Sequence, residues 1–150
     1  MKEIFLSGKE IFRLRDCLAA LAEHHNAVTL HFKGVYPLQS IDLVLAGMAE
    51  AEEKGKALIK ALEEEDAIVG FCKIAMEKER GSLDYLYVRE DQRGKGYGKL
   101  LMDWAMAAFR QRDARFIDVN VVLGNPAQKL YEAYGFVPRT LIMSQQIQHF

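Results

Sequence analysis

The sequence is poor in the features that would assign it to a specialised class of protein. It has two cysteines, Cys17 and Cys72, whose spacing indicates neither a disulfide framework nor a metal site. Its charges nearly cancel to a formal net charge of −1, which argues against binding nucleic acid through bulk electrostatics. No run approaches the roughly 20 apolar residues of a membrane span, and the N-terminal stretch is too short and polar for a signal peptide. We therefore expect a cytoplasmic protein with no nucleic-acid partner, no membrane partner and no metal.

The remaining composition is that of an ordinary folded domain. Half of the residues are hydrophobic and 27% are charged, which is not typical of a disordered chain. A length of 150 residues suits one domain, and a domain of this size buries roughly 68–70% of the surface of its unfolded chain. We therefore expect residues 1–150 to form a single domain.

The N-terminal half predicts two helices and the beginning of an antiparallel sheet. Ser7-Gly8-Lys9-Glu10 spells a capping box, and apolar residues at helical spacing follow it until about Asn26. A second helix is predicted from about Ser40 to Lys54. The predicted strands are residues 2–6, 57–62 and 67–76, with a turn at 63–66 and a further strand beginning at Gly81.

The loop between the two predicted helices, residues 27–39, carries His31, Phe32 and Tyr36, which could line a pocket for a substrate. None of the four histidines has a metal-ligand partner at a recognisable spacing. We expect structural or solvated roles for them, including His149.

A glycine-rich stretch lies between a strand-like run, residues 83–88, and a helical run, residues 100–112. It reads Gln92-Arg93-Gly94-Lys95-Gly96-Tyr97-Gly98-Lys99. Glycine allows tight turns and close approach to a ligand, and the first N–H groups of the following helix have no partners within the helix. Because these donors and the helix dipole attract anions, the stretch predicts a phosphate or pyrophosphate site.

The spelling of this stretch excludes two common phosphate loops. A P-loop requires Ser or Thr after Gly-Lys, whereas Leu100 follows Gly98-Lys99. A Rossmann fingerprint requires Gly-x-Gly-x-x-Gly after the first strand, whereas Gly94-x-Gly96 is followed by Lys99. The pattern that fits is Arg93-x-x-Gly96-x-Gly98, which resembles the acyl-CoA pyrophosphate loop of the GNAT N-acetyltransferase superfamily.

A second motif supports the same resemblance. Asn125-Pro126 is a good helix start, and Gly135 is a good helix stop. The intervening Leu130-Tyr131-Glu132, followed by Gly135-Phe136, resembles the second GNAT motif. The family commonly places an asparagine seven residues before the tyrosine, whereas Asn125 lies six residues before Tyr131. Asn125 is therefore either a cofactor ligand on a shorter loop or only a helix cap.

The resemblance implies a mixed α/β fold with a splayed central β-sheet flanked by helices, and acetyl-CoA as the co-substrate. The pantetheine arm would bond to the backbone near Leu86, Tyr87 and Val88. Tyr131 would protonate the departing thiolate. An apolar strand at residues 136–147 would complete the sheet and could serve a homodimer. The implied pyrophosphate site comprises Arg93, Gly94, Lys95, Gly96, Tyr97, Gly98 and Lys99.

Two carboxylates on predicted strands are candidates for the base that deprotonates an amine. Asp118 lies in mid-strand in the predicted strand 115–123, and a buried carboxylate needs partners, so it is either paired structurally or part of a site. Asp84 lies on the strand before the glycine loop and could instead be a structural partner, while Tyr85 could position a water molecule.

Three classes of function follow. The first is an acetyl-CoA-dependent N-acetyltransferase acting on a primary amine, either a small molecule or a peptide, by direct attack in a ternary complex. The second is a non-catalytic acyl-CoA-binding regulatory or sensor module. The third is a nucleotide-phosphate binder unrelated to CoA. The candidate acid Tyr131 favours the enzyme.

Overall fold

The architecture is a mixed sheet whose strands follow one another in chain order. The computed structural model describes residues 1–148, and within them five strands form one sheet in the order β1-β2-β3-β4-β5. The pairs β1–β2, β2–β3 and β3–β4 are antiparallel, and the pair β4–β5 is parallel. The strands are β1 Lys2–Phe5, β2 Ala57–Glu64, β3 Ala67–Glu77, β4 Arg80–Val88 and β5 Phe116–Val119.

The helices largely follow the predicted pattern, although the predicted capping box does not form. The Ser7 side chain makes no capping bond, and the segment opens as a 3₁₀ helix over Gly8–Leu14. Ser40 does cap its helix, because its hydroxyl accepts a hydrogen bond from the Leu43 N–H at 3.2 Å. The α-helices are α1 Arg15–Val28, α2 Ile41–Glu53, α3 Tyr97–Gln111 and α4 Ala127–Ala133.

Each face of the sheet carries its own hydrophobic core. One core joins the 3₁₀ helix, α1 and α2 to the sheet, with Leu14, Leu45 and Phe71 fully buried. The other joins α3 and α4 to the opposite face, with Leu101 and Phe109 fully buried. The helix after the glycine stretch therefore has the buried stripe that its periodicity predicts.

A β-bulge interrupts β4 at Asp84. Tyr85 pairs with Lys73 and Leu83 pairs with Ile74, which leaves Asp84 as the extra residue on its strand. Pairing with β5 ends at the same place, because its last partners are Leu83 and Val119, while β4 continues to Val88. Beyond the bulge the two strands separate, and this opening confirms the expected splay of the sheet.

The predicted strand at residues 136–147 is wrong for this structure. No strand is assigned between residues 136 and 148. A strand needs a hydrogen-bonded neighbour, and Pro138 has no N–H to give to one. The segment instead leaves several apolar side chains in solvent: Val137, Leu141, Ile142, Met143 and Ile147 are 61–86% exposed.

Candidate active site

The glycine stretch turns directly into α3 at the end of β4. Gly94 and Gly96 both have φ of 82°, a left-handed conformation that glycine adopts without steric cost. Gly96 is the N-cap of α3, and its carbonyl accepts the hydrogen bond from the Leu100 N–H. The N–H groups before Leu100 in α3 thus lack partners within the helix. A Cβ built on Gly94, Gly96 or Gly98 would meet nothing within 4 Å, so the loop borders open space wide enough for a ligand.

The basic side chains of this stretch are held by local partners. Arg93 Nε donates to the Val88 carbonyl at 3.1 Å, and Lys95 Nζ donates to Gln92 Oε1 at 2.8 Å. Lys99 Nζ pairs with Asp103 Oδ2 at 2.7 Å. The structure therefore brings three cations to one end of α3, where the helix dipole also favours an anion.

The edge of β4 beyond the bulge offers backbone groups to the opening. The Arg89 N–H donates to the Val69 carbonyl at 2.8 Å, and in an antiparallel pair such bonds recur at every second residue. Leu86 and Val88 therefore direct their N–H and C=O groups away from β3, towards the splay. Tyr87 directs its own towards β3.

The Tyr87 side chain is buried on the face of the sheet that α1 and α2 cover. It is 7% exposed, and its ring centroid lies 6.3 Å from that of Phe71. Close contact between β3 and β4 fixes this segment, because a Cβ on Gly70 would lie 2.9 Å from the Tyr87 carbonyl oxygen.

Tyr131 lies in the core between α4 and the sheet. It is 8% exposed, its ring packs edge-to-face with Phe136 at 6.1 Å, and it shares this core with Leu86 and Val88. Burial raises the pKa of Tyr131 to about 12, and the nearby Cys72 acts in the same direction. Its hydroxyl therefore stays protonated at neutral pH and can donate a hydrogen bond or a proton there.

Tyr134, one turn further along α4, uses its hydroxyl in a different way. It donates to Asp103 Oδ1 at 2.6 Å, while Lys99 occupies the other oxygen of that carboxylate. Partial burial and this hydrogen bond raise the pKa of Tyr134 to about 12. Sequence reasoning missed this network, although the spacing of Lys99 and Asp103 is that of a helical ion pair.

Asn125 acts on its own helix. Its Oδ1 accepts a hydrogen bond from the Ala127 N–H at 3.0 Å, and Ala127 is the first residue of α4. This hydrogen bond favours the role of Asn125 as a helix cap over its role as a cofactor ligand. The spacing between Asn125 and Tyr131, one residue shorter than in the family pattern, points in the same direction.

The two candidate carboxylates occupy different environments. Asp118 contacts Arg80 at 2.8 Å and Arg139 at 3.4 Å, with 42% of its side chain exposed. The hydrogen bond from Arg80 lowers the pKa of Asp118, and the charges of both arginines add to this effect. Asp118 thus has the structural partners that one of the two alternatives required.

Asp84 lies at the bulge and bonds to Lys73 at 2.6 Å. The two side chains are 28% and 13% exposed, respectively. This carboxylate stands where β4 and β5 separate, beside the opening. Regular strand alternation would place Asp84 on the same face as Leu86 and Val88. The bulge instead shifts Asp84 out of phase with them.

The loop between α1 and α2 is ordered by a residue that sequence reasoning missed, Asn26. Its Oδ1 accepts from the N–H groups of Gly34 and Tyr36 at 2.9 and 3.0 Å, and its Nδ2 donates to the Tyr36 carbonyl at 2.8 Å. The Tyr36 ring packs edge-to-face against His25 at 5.4 Å. The loop also contacts the chain beyond β5, because the Leu30 N–H donates to the Leu123 carbonyl at 3.3 Å.

These features agree with the comparison to known proteins. The profile of the Acetyltransferase (GNAT) family matches residues 18–136, so the chain belongs to this family of acetyltransferases. A candidate [ribosomal protein bS18]-alanine N-acetyltransferase of Bacillus subtilis strain 168 is 27% identical over 78 residues. That match covers 51% of this chain and 52% of the relative, so the chain spans about half the length of the curated relative it matches.

Solved structures share the whole fold at low identity. A predicted acetyltransferase from Clostridium acetobutylicum, solved with acetyl-CoA, superposes with a TM-score of 0.76 at 18% identity, over 97% of this chain and 95% of the other. A ribosomal-protein-alanine N-acetyltransferase from Brucella melitensis biovar Abortus 2308 gives a TM-score of 0.64 at 19% identity, over 99% and 98% of the chains. Family membership favours catalysis over the regulatory alternative.

The described residues contain neither a membrane-spanning helix nor a cluster of metal-binding side chains. Among residues 1–148, no helix is long and apolar enough to cross a membrane. Within the same residues, no group of three or more histidine, cysteine or acidic side chains is placed to hold a metal ion.

Proposed function

We propose that the chain is a single-domain, cytoplasmic N-acetyltransferase that moves an acetyl group from acetyl-CoA to a primary amine. The observation that carries this proposal is the open glycine loop at the start of α3, which lies next to the unpaired edge of β4. The loop N–H groups and Arg93, Lys95 and Lys99 suit a pyrophosphate. The outward-facing backbone groups of Leu86 and Val88 suit the amides of a pantetheine arm.

The amine would attack the thioester directly while both substrates are bound. A free alkyl amine has a pKa near 10.4, so its deprotonation at pH 7 costs roughly 4–5 kcal/mol. A base beside the opening would lower this cost. We assign it to Asp84, because this carboxylate lies where the strands separate. Asp118 instead lies where β5 is still paired with β4, and two arginines lower its pKa and so make it a weaker base.

Tyr131 would supply the proton for the departing thiolate. It lies in the same core as the β4 residues that border the opening, and its hydroxyl is protonated throughout the neutral range. A positioned donor stabilises the negative charge that develops on sulfur as the C–S bond breaks. Tyr134 is the weaker candidate, because its hydroxyl is already bonded to Asp103.

The acceptor would enter beside the loop between α1 and α2. Two relatives carry names that specify an alanine of a ribosomal protein, and another similar structure is an aminoglycoside N-acetyltransferase with CoA. We therefore propose a screen that contrasts peptides bearing a free N-terminal amine with small polyamines and amino sugars. Thiol release would report turnover, and mass spectrometry would identify the acetylated product.

A matched pair of substitutions tests the cofactor site. Gly98 lies in α3 and Gly47 in α2; both have open space for a side chain. Gly98→Asp would place a carboxylate beside the phosphates and should abolish acetyl-CoA binding measured by calorimetry, whereas Gly47→Asp should bind like the wild type. Both variants should fold, since neither glycine has a positive φ. Unchanged affinity in a folded Gly98→Asp variant would refute the assignment.

We also propose that the protein forms a homodimer through residues 136–147. The exposed apolar side chains of this segment have no cover among residues 1–148, and β5 pairs on one side only, with β4. The apolar segment of one copy could pair with the free edge of β5 in the other copy, which would add a strand to its sheet.

A further inference from the structure

The position of the Lys99 side chain is unexpected for a residue in the first turn of a helix. Helical side chains lean towards the N-terminus, where the glycine loop would hold an anion. The Lys99 ammonium instead bonds to Asp103, one turn towards the C-terminus, at 2.7 Å. Lys99, which lies in the first turn of α3, is therefore drawn away from the site that it would serve.

Asp103 is itself held from two sides. Its Oδ1 accepts the Tyr134 hydroxyl at 2.6 Å and its Oδ2 accepts Lys99. The hydrogen bonds from Lys99 and Tyr134 lower the pKa of Asp103, so its carboxylate is charged at neutral pH. Tyr134 belongs to α4, so this carboxylate is fixed by a second element and is well placed to compete for the lysine.

We infer that Asp103 competes with the cofactor phosphates for Lys99 and thereby weakens the binding of CoA. This inference rests on the proposed function, since it assumes that the glycine loop binds the pyrophosphate. When the phosphates bind, Lys99 leaves Asp103 for them, and Asp103 keeps its bond to Tyr134. When CoA must leave after transfer, Asp103 takes the ammonium back. Asp103 thus lowers the affinity for CoA and so speeds its release. Product release limits turnover in many enzymes.

Calorimetry with free CoA on four variants tests the inference. Asp103→Asn keeps an acceptor for the Tyr134 hydroxyl but removes the charge that holds Lys99. An exposed ion pair of this kind changes an equilibrium by about 1.5- to fivefold, so CoA should bind about that much more tightly. Lys99→Met should weaken binding, and the double variant should bind like Lys99→Met alone.

The charge control is Glu50→Gln, which breaks the matching helical pair of Glu50 with Lys54, 2.7 Å apart in α2. It makes the same change in net charge and should leave CoA affinity unchanged. Equal or weaker binding by Asp103→Asn would overturn the inference, as would tightening that persists undiminished in the Lys99→Met background. A wild-type protein that binds no CoA would instead overturn the proposed function itself.

Discussion

At the scale of residues, the Tyr131 hydroxyl carries the sharpest expectation. The Tyr131 ring packs against Phe136 in a largely apolar core. An acid role requires the hydroxyl to face the thioester sulfur, whereas a packing role requires only the ring. Removing the hydroxyl oxygen of Tyr131 therefore distinguishes the acid role from the packing role.

We expect Tyr131→Phe to lower kcat by about 10²–10⁴-fold with little change in acetyl-CoA affinity, because the ring and its packing remain. Since burial raises the pKa of Tyr131 to about 12, the wild-type rate should show no loss from this residue as pH rises to 10. Steady-state kinetics under conditions where chemistry limits turnover will measure both. A variant within about threefold of wild type would leave Tyr131 as a packing residue.

Asp84 and Asp118 provide a matched test of the base. Asp84→Asn should reduce kcat/KM by about 10²–10⁴-fold. Asp118→Asn breaks an exposed pair with Arg80 in the paired part of β5 and should leave kcat/KM close to that of the wild type. If neither substitution alters kcat/KM, the proton goes to bulk water or to another group.

At the scale of elements, the tight turn between β2 and β3 is a point of backbone strain. Glu65 and Asp66 have φ of 50° and 64°, which suits a hairpin turn, although Glu65 is not one of the residues that such turns favour. A residue other than glycine, asparagine or aspartate in this conformation costs roughly 1–2 kcal/mol. The strain is confined to the turn, because β2 pairs with β3 directly beside it, with Glu64 opposite Ala67; a register shift then follows between Leu62 and Glu63.

Replacing the turn with Glu65→Asn and Asp66→Gly should raise the free energy of unfolding by about 1–2 kcal/mol. Denaturant titration would measure this gain. Asp66→Ala is the control, since it removes a charge from the acidic turn but keeps a side chain at positive φ. A similar gain in that control would mean that charge repulsion, and not backbone conformation, is being relieved.

Elements with strong local patterns were predictable from the sequence, and features made by distant residues were not. The buried stripe of α3 and the Ser40 cap follow from spacing and side-chain chemistry. The bulge at Asp84 depends on how β3 aligns with β4, and the pairs of Asp84 with Lys73 and of Tyr134 with Asp103 depend on tertiary packing. The apolar pattern at 136–147 indicated a strand, but a strand also requires backbone pairing with a neighbour, and residues 136–148 form none.

At the scale of the whole molecule, the proposed homodimer through residues 136–147 can be tested by measuring the oligomeric state. We expect light scattering after size exclusion to give twice the chain mass of 17.1 kDa. The double variant Leu141→Glu, Met143→Glu should return the protein to a monomer, because it places charges on a surface that must be desolvated. Phe12→Glu alters an exposed apolar residue elsewhere and should remain dimeric. A wild-type mass of one chain would contradict the proposed interface.

The separation of β4 from β5 has a consequence for hydrogen–deuterium exchange. Beyond the bulge, the amide of Leu86 faces the opening, so in the free protein it should exchange quickly for an amide in the middle of a sheet. The amide of Tyr87, directed towards β3, should exchange slowly. Acetyl-CoA should then slow exchange at Leu86 by orders of magnitude and leave Tyr87 almost unchanged. Two adjacent amides on one strand would in this way serve as probe and internal reference for occupancy of the cleft.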